Sequence, residues 1–166
     1  MSVPATISLN IDEILYDIRN KAFLTGRSRE AETSKTFEAA SNIQASEDEE
    51  DLNQMLRSIS THYGTIKVVL AEYLNLTVHS SSNELITTNT RLDLSLSMPS
   101  NFNLSAIEGI SAHCHQYIVA MSLADWFTIA DKADVKEYLD AAASHLDGLK
   151  RAVCKRVRPT RPTAEK

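Results

Sequence analysis

His113, Cys114 and His115 form the one compact group in this sequence with metal-ligand character. They fall in a helical pattern, where residues two apart point about 200° from each other, so the two imidazoles cannot share a mononuclear site. No histidine has a glutamate three residues before it, which removes the helical di-iron pattern, and neither H-E-x-x-H nor C-x-x-C occurs. Serines are plentiful, but no G-x-S-x-G elbow presents one as a nucleophile. Gly26, Gly64, Gly109 and Gly148 stand alone, so no loop cradles a phosphate. His62, His79, His113, His115 and His145 scatter over separate elements. The expectation is a chain with no catalytic, cofactor-binding or metal residue, and not an enzyme. Asp125 is the exception to watch. Set between Ala124 and Trp126 on an apolar helix, it reads either as a carboxylate on the solvent edge or as a buried acid paired with a base.

Charge offers a different chemistry. Residues 149–166 carry Lys150, Arg151, Lys155, Arg156, Arg158, Arg161 and Lys166 against Glu165, a net of +6. The whole chain is −5, so residues 1–148 carry −11. An acidic body with a basic end suits contacts between unlike ends of neighbouring molecules. Lys150, Arg151, Lys155, Arg156, Arg158 and Arg161 are therefore candidate partner-binding residues. The same end could meet phosphate backbones, but no aromatic residues interleave with the charges for base stacking.

Helices must position these groups. Three ladders step by three and four, the spacing that keeps side chains on one helix face. They run Leu52, Leu56, Ile59, Tyr63, Ile66, Leu70, Tyr73; then Ile107, Ile110, Cys114, Tyr117, Met121, Ala124; then Val135, Leu139, Ala142, Leu146, Leu149, Val153. They predict helices over about 48–75, 104–131 and 133–157. Ile118, Leu123, Trp126 and Phe127 widen the face of the second of these. Gly64 in the first suits close packing. Ser105 with Glu108, and Asp134 with Glu137, have capping-box spacing.

A further helix opens at Asn10 and Glu13, with Ile11, Ile14, Leu15, Ile18 and Ala22 on one side and Gly26 as an end or a bend. Before it, residues 6–11 alternate as a short strand. Residues 27–47 read as a mobile, partly helical connection. The acidic run at 46–51 suits the start of the next helix. In the insert at 76–99, Leu92, Leu94 and Leu96 alternate with polar residues up to Met98-Pro99, residues 76–80 offer a partner strand, and with residues 6–11 they would form a small antiparallel sheet flanking the bundle. The three leucines are counted among the candidate partner contacts. The fold class predicted is mainly α: a four-helix bundle with a short β-hairpin insert between the second and third helices and a short N-terminal strand. Residues 1–157 form one domain, and 158–166 an extended basic tail stopped by Pro159 and Pro162.

At 166 residues, 43% hydrophobic and 23% charged, the chain can bury a core without staples. No apolar run approaches the roughly 20 residues of a membrane span. The N-terminus lacks a secretory pattern. Cys114 and Cys154 read as reduced thiols on apolar helix faces, and the expected compartment is cytoplasmic.

Three stretches together resemble the small structural proteins of the head–tail region of tailed phages and prophages. They are the strand-to-helix passage Ile7-Ser-Leu-Asn-Ile-Asp-Glu-Ile14, the strand ending Leu92–Pro99, and the terminal helix with its Arg158-Pro159…Arg161-Pro162 tail. The resemblance is one of organisation and transfers no site residue. It implies a neck, connector or tail component working in a ring, with other copies of itself or other assembly proteins as partners. The expected function is thus non-catalytic assembly through protein contacts, without a membrane. A small helical-bundle enzyme or ligand-binding domain, with Asp125 and a histidine converging on a pocket, is the first alternative. A nucleic-acid-associated protein using the basic end is the second.

Overall fold

The computed structural model describes residues 2–32, 49–75, 82–130 and 135–159. Strand β1 (Ser2–Asn10) runs straight into helix α1 (Ile11–Glu32), followed by α2 (Glu49–Val69) and strand β2 (Arg91–Pro99). A single 3-10 turn at Leu104–Ala106 then leads into α3 (Ile107–Ala130), and α4 (Val135–Val153) comes last. The described residues are mainly helical, with four helices and one two-stranded antiparallel sheet among them.

The passage from β1 to α1 is sharp because Asn10 caps it. Its side-chain oxygen accepts the Asp12 backbone N–H at 3.1 Å, and Asp12 and Glu13 place negative charge in the first turn. Alternation makes β1 a strand: Ala5, Ile7 and Leu9 are buried while Pro4, Thr6 and Ser8 face solvent. Ile11, Ile14, Leu15, Ile18 and Ala22 continue that buried surface along α1. Gly26 neither ends nor interrupts the helix, which covers residues 27–32 of the expected connection. The rest of that connection lies outside the described residues.

Strand β2 joins the N-terminal strand in an antiparallel sheet, as expected. It pairs along its whole length with β1, Ala5 opposite Leu96, Ile7 opposite Leu94 and Leu9 opposite Leu92. Residues 76–80, the expected second partner, lie outside the described residues. The other edge of β2 is also occupied, close to the end of α2. Asn75 N–H donates to Ser95 O at 3.0 Å, and Ser97 N–H to Tyr73 O at 2.6 Å. This explains why α2 ends at Val69, before Tyr73: the chain must leave the helix to meet the sheet. Leu92, Leu94 and Leu96 are 5%, 1% and 2% exposed. They belong to this chain's own core and not to a partner surface, because β1 and the helices already cover their face. Each such burial stabilises by about 1.5–3 kcal/mol.

Helix α3 is the hub. Its buried residues Ile110, Cys114, Tyr117, Ile118, Val119, Leu123 and Phe127 point in all directions around its axis, and α1, α2, α4 and β1 all pack on it. Its start is capped by Asn103, whose Oδ1 accepts the Ser105 N–H at 3.1 Å, so Ser105 is not the cap. All three ladders face the core except at Leu139, which is 44% exposed. Tyr138 takes its place, stacked on Phe127 with centroids 5.2 Å apart and planes at 4°. Gly64 meets no neighbouring atom and permits no close packing. Cys114 is buried as expected, but Cys154 is exposed, because it falls just beyond the end of α4.

The basic end is tied down through Val157. Arg156 Nη1 donates to Val153 O at 2.9 Å, closing the end of α4. Asn103 N–H donates to Lys155 O at 3.2 Å, and Val157 N–H to Asn101 O at 2.8 Å. Arg158 and Pro159 are exposed, and residues 160–166, with Arg161, lie outside the described residues. Among the described residues no helix is long and apolar enough to cross a membrane.

Replacing Leu94 by alanine should cost about 2–5 kcal/mol of stability, the usual range for truncating a fully packed leucine. Ser95→Ala, one position along on the solvent face, should change it by less than about 0.5 kcal/mol. Urea unfolding of both variants measures the contrast.

Candidate functional site

Asp125 gathers the most suggestive side chains in the molecule. Ser58 and His62 stand four apart on α2, hence on one face, and both reach across to the Asp125 carboxylate on α3. Ser58 Oγ donates to Asp125 Oδ2, and His62 Nε2 lies 2.8 Å from the same oxygen. The His62 side chain is 8% exposed and that of Asp125 46%. Asp125 thus sits at the solvent edge and is not a buried acid, although it is paired with a base. Tyr117 closes the histidine's flank edge-on, with ring centroids 6.3 Å apart.

Serine, histidine and aspartate in contact invite comparison with a nucleophilic triad. In a triad the histidine takes the serine proton while the acid holds its other nitrogen. Here the serine proton points at the carboxylate, and histidine and serine share one acceptor oxygen. The hydroxyl is not activated by the imidazole. What the arrangement does well is join α2 to α3 through charge-assisted hydrogen bonds at the rim of the core.

The histidines at 113 and 115 do point to opposite sides of α3. His115 Nε2 lies 2.9 Å from Asp17 Oδ2, and nearby Lys21 Nζ donates to Gln116 Oε1 at 3.1 Å, so both pairs link α1 to α3. His113 turns instead to α4, where its Nδ1 is 3.4 Å from that of His145. Among the described residues no group of three or more His, Cys, Asp or Glu side chains is placed to hold a metal. Burial pushes the Cys114 thiol up to about 12, which makes it a small hydrophobe and not a nucleophile. Burial likewise raises Tyr63 to about 12, and its hydroxyl donates to Asp93 O at 2.6 Å.

Gly148 is what lets His113 lie against α4. A Cβ at this position would come within 2.4 Å of the imidazole. Beside the ring, a groove of about 460 Å³ opens between the helices, edged by Gly109, Ser144, Arg151 and Lys155. Of the candidate basic residues, Arg151 and Lys155 therefore border a cavity. Lys150 and Arg158 are simply exposed, and Arg156 spends a donor on Val153. The six do not converge on one site.

No family model, no curated protein and no solved structure matches this chain. Its function must be argued from its own surface.

That surface has one feature the ladders do not reveal. Tyr16 and Phe23 on α1 are 65% and 44% exposed, on either side of Arg19 and Asn20. They border a cavity of about 560 Å³ that reaches Leu15 and Leu52. The Arg19 Nε is buried with no hydrogen-bond partner among the described residues. The signal was present in the sequence, since both aromatics fall off the Ile11–Ile14–Ile18 side of the helix. Large aromatics on a polar face are what such a surface looks like before folding.

Two predictions follow from the packing of His113. Gly148→Ala should destabilise by about 1–3 kcal/mol through overpacking, against the helix preference for alanine, and His113→Ala should relieve most of that loss. Gly64→Ala, with open space at its Cβ, should instead stabilise by up to about 1 kcal/mol.

The third concerns pH. Burial, then His113 and then Lys21 hold His145 below its ordinary value. The unfolded chain binds that proton more readily, so the stabilisation is complete above about pH 6.5 and is lost as pH falls through the lower folded value. The urea midpoint should drop on acidification across this range, and His145→Gln should make that drop smaller.

Proposed function

We propose that this chain is a non-catalytic assembly protein that works through protein–protein contacts. The observation carrying the proposal is the outer face of α1. Tyr16, Arg19, Asn20 and Phe23 recur at helical spacing, with two aromatic rings in solvent and a guanidinium nitrogen without a partner among the described residues. Tyrosine, arginine and phenylalanine are the residue types enriched at the centres of protein interfaces, and helical anchors at this spacing suit a helix-to-surface contact. The unpartnered Arg19 nitrogen favours a partner that brings a carboxylate or carbonyl oxygen to the cavity.

Other features support the same reading. The Ser58–His62–Asp125 group serves as an interhelical fastening, which weakens the case for an active site at Asp125. The acidic body and basic end fit contacts between unlike surfaces. The organisational resemblance to phage head–tail proteins gives the proposal its finer form: a neck, connector or tail component in a ring, built on a four-helix bundle. In that form the exposed Lys150, Arg151, Lys155 and Arg158 would meet acidic surface on a neighbour.

The test is co-expression with the products of the adjacent genes, followed by purification of the assembled species. A stoichiometric complex is expected. The Tyr16→Ala/Phe23→Ala double variant should keep its circular dichroism and lose at least about tenfold in affinity, the size of one to two interface anchors. A double variant that assembles as well as the parent chain would reject the α1 face as the contact.

A further inference from the structure

The free edge of β1 carries a second, more specific contact. In an antiparallel pair each residue sends its N–H and C=O to the same side, and neighbours along the strand alternate. Ser95 and Ser97 of β2 spend theirs on Tyr73 and Asn75. Leu92, Leu94, Leu96 and Met98 therefore address β1, at Leu9, Ile7, Ala5 and Val3. It follows that Pro4, Thr6, Ser8 and Asn10 send their backbone groups away from the sheet. Proline has no N–H, and it stands at one of the outward positions, where the existing ladder does not need one. Among the described residues nothing accepts from the N–H groups of Thr6, Ser8 and Asn10.

We propose that two copies of this chain pair antiparallel through their β1 edges, with Ile7 opposite Ile7 on the two-fold axis. In this register Thr6 faces Ser8 of the second copy, and Pro4 faces Asn10. Thr6 N–H then donates to Ser8 O, Ser8 N–H to Thr6 O and Asn10 N–H to Pro4 O, each bond repeated by symmetry. The donor that Pro4 lacks falls opposite the backbone carbonyl of Asn10, whose side chain caps α1; the carbonyl of a cap residue takes the first bond of its helix and needs no donor from a second strand. Shifting the axis to Thr6 leaves the Ser8 carbonyl facing proline. Shifting it to Ser8 sets the Thr6 N–H against the occupied Asn10 carbonyl. Only the register on Ile7 matches every outward peptide dipole with its complement.

Apart from Pro4, the edge lacks the usual defences against pairing. Residues 2–10 include no ionisable side chain, and the register with β2 runs without a bulge. The Asp93 carboxylate accepts from Ser8 Oγ on the solvent face of the sheet, and Glu13 and Glu108 border a cavity of about 600 Å³ beside Ser8, Leu9 and Asn10, between the edge and α3. In the proposed register Leu9 and its counterpart stand four strand positions apart, about 13 Å. That exceeds the screening length of about 8 Å, so Glu13 and Glu108 do not oppose the contact strongly. A strand pair alone buries less than the roughly 1,200 Å² of a stable specific interface, so the dimer should be weak in isolation. The contact is isologous and closes at two copies, which makes it distinct from head-to-tail contacts around a ring. It rests on the assembly reading but uses a different surface from the α1 face.

Sedimentation velocity on the full chain, from about 1 μM to several hundred μM, should show a monomer passing to a dimer and nothing larger from this contact. Amide exchange followed by NMR supplies the register. Thr6, Ser8 and Asn10 amides should exchange freely in the monomer and slow at least about tenfold in the dimer, while Ala5, Ile7 and Leu9 stay protected throughout. Ser8→Pro removes one outward donor without touching the β2 ladder and should abolish dimerisation; Thr6→Pro is the second variant should the first fail to fold. A monomer at every concentration would overturn the pairing, as would a dimer whose Thr6 and Ser8 amides remain open. Co-purification lost on Tyr16→Ala/Phe23→Ala but kept in Ser8→Pro would separate the two surfaces.

Discussion

A helix that is apolar on every side cannot stand in water, and α3 is such a helix. Ile110, Cys114, Tyr117, Ile118, Val119, Leu123 and Phe127 leave it no solvated stripe through its centre. Every other element can be understood as cover for it. Helices α1, α2 and α4 take three sides, and the sheet lies over its beginning. The remaining elements need only one apolar face each, which is why α2 and α4 keep regular ladders and α3 does not.

Cover of this kind is non-directional and would tolerate sliding. The polar contacts at the rim remove that freedom. His115 with Asp17 sets α1 against α3, Ser58 and His62 with Asp125 set α2, and His113 with His145 sets α4. Each reaches out from a different side of the hub, near the boundary between core and water, where a hydrogen bond has a geometry to enforce and little burial to overcome. Gly148 belongs to the same scheme, since the third contact needs a gap in the surface of α4. The residues that looked most like chemistry in the sequence are, on this view, the alignment marks of the helices.

The parts of the fold that sequence reasoning reached are those governed by neighbours in the chain. Period-3.6 ladders identified α2, α3 and α4, and alternation identified β2, because periodicity reports which side of an element is buried. It does not report against what. Hence Leu92, Leu94 and Leu96 were legible as a buried face and misread as a contact for another chain, when their partner was β1. Strand partners are chosen by register across long separations, which the period of one strand does not report. Leu139 and Tyr138 show the same limit at one turn of helix: both fit a helical face, and the stacking surface offered by Phe127 decided between them. Asp125 stood out by its neighbours, but His62 did not, since only the packing of α2 on α3 brings them together. The aromatics Tyr16 and Phe23 were visible all along as residues off the apolar side of α1.

The pairing of β1 with β2 also has a consequence in time. A ribosome delivers Ser2–Asn10 and must add some 80 residues before Arg91–Pro99 emerges, a wait on the order of ten seconds at ordinary synthesis rates. Throughout that interval β1 is an apolar strand with two open edges and no sheet to join. The last described residues close the other end of the structure, since the contacts of Lys155 and Val157 with Asn101 and Asn103 pin the entry to α3. The hub helix therefore leaves the ribosome before α4 exists to cover it. Nascent chains of this protein are open to capture by chaperones, or by one another, until α4 has emerged, and of the two strands it is β1 that waits for its partner.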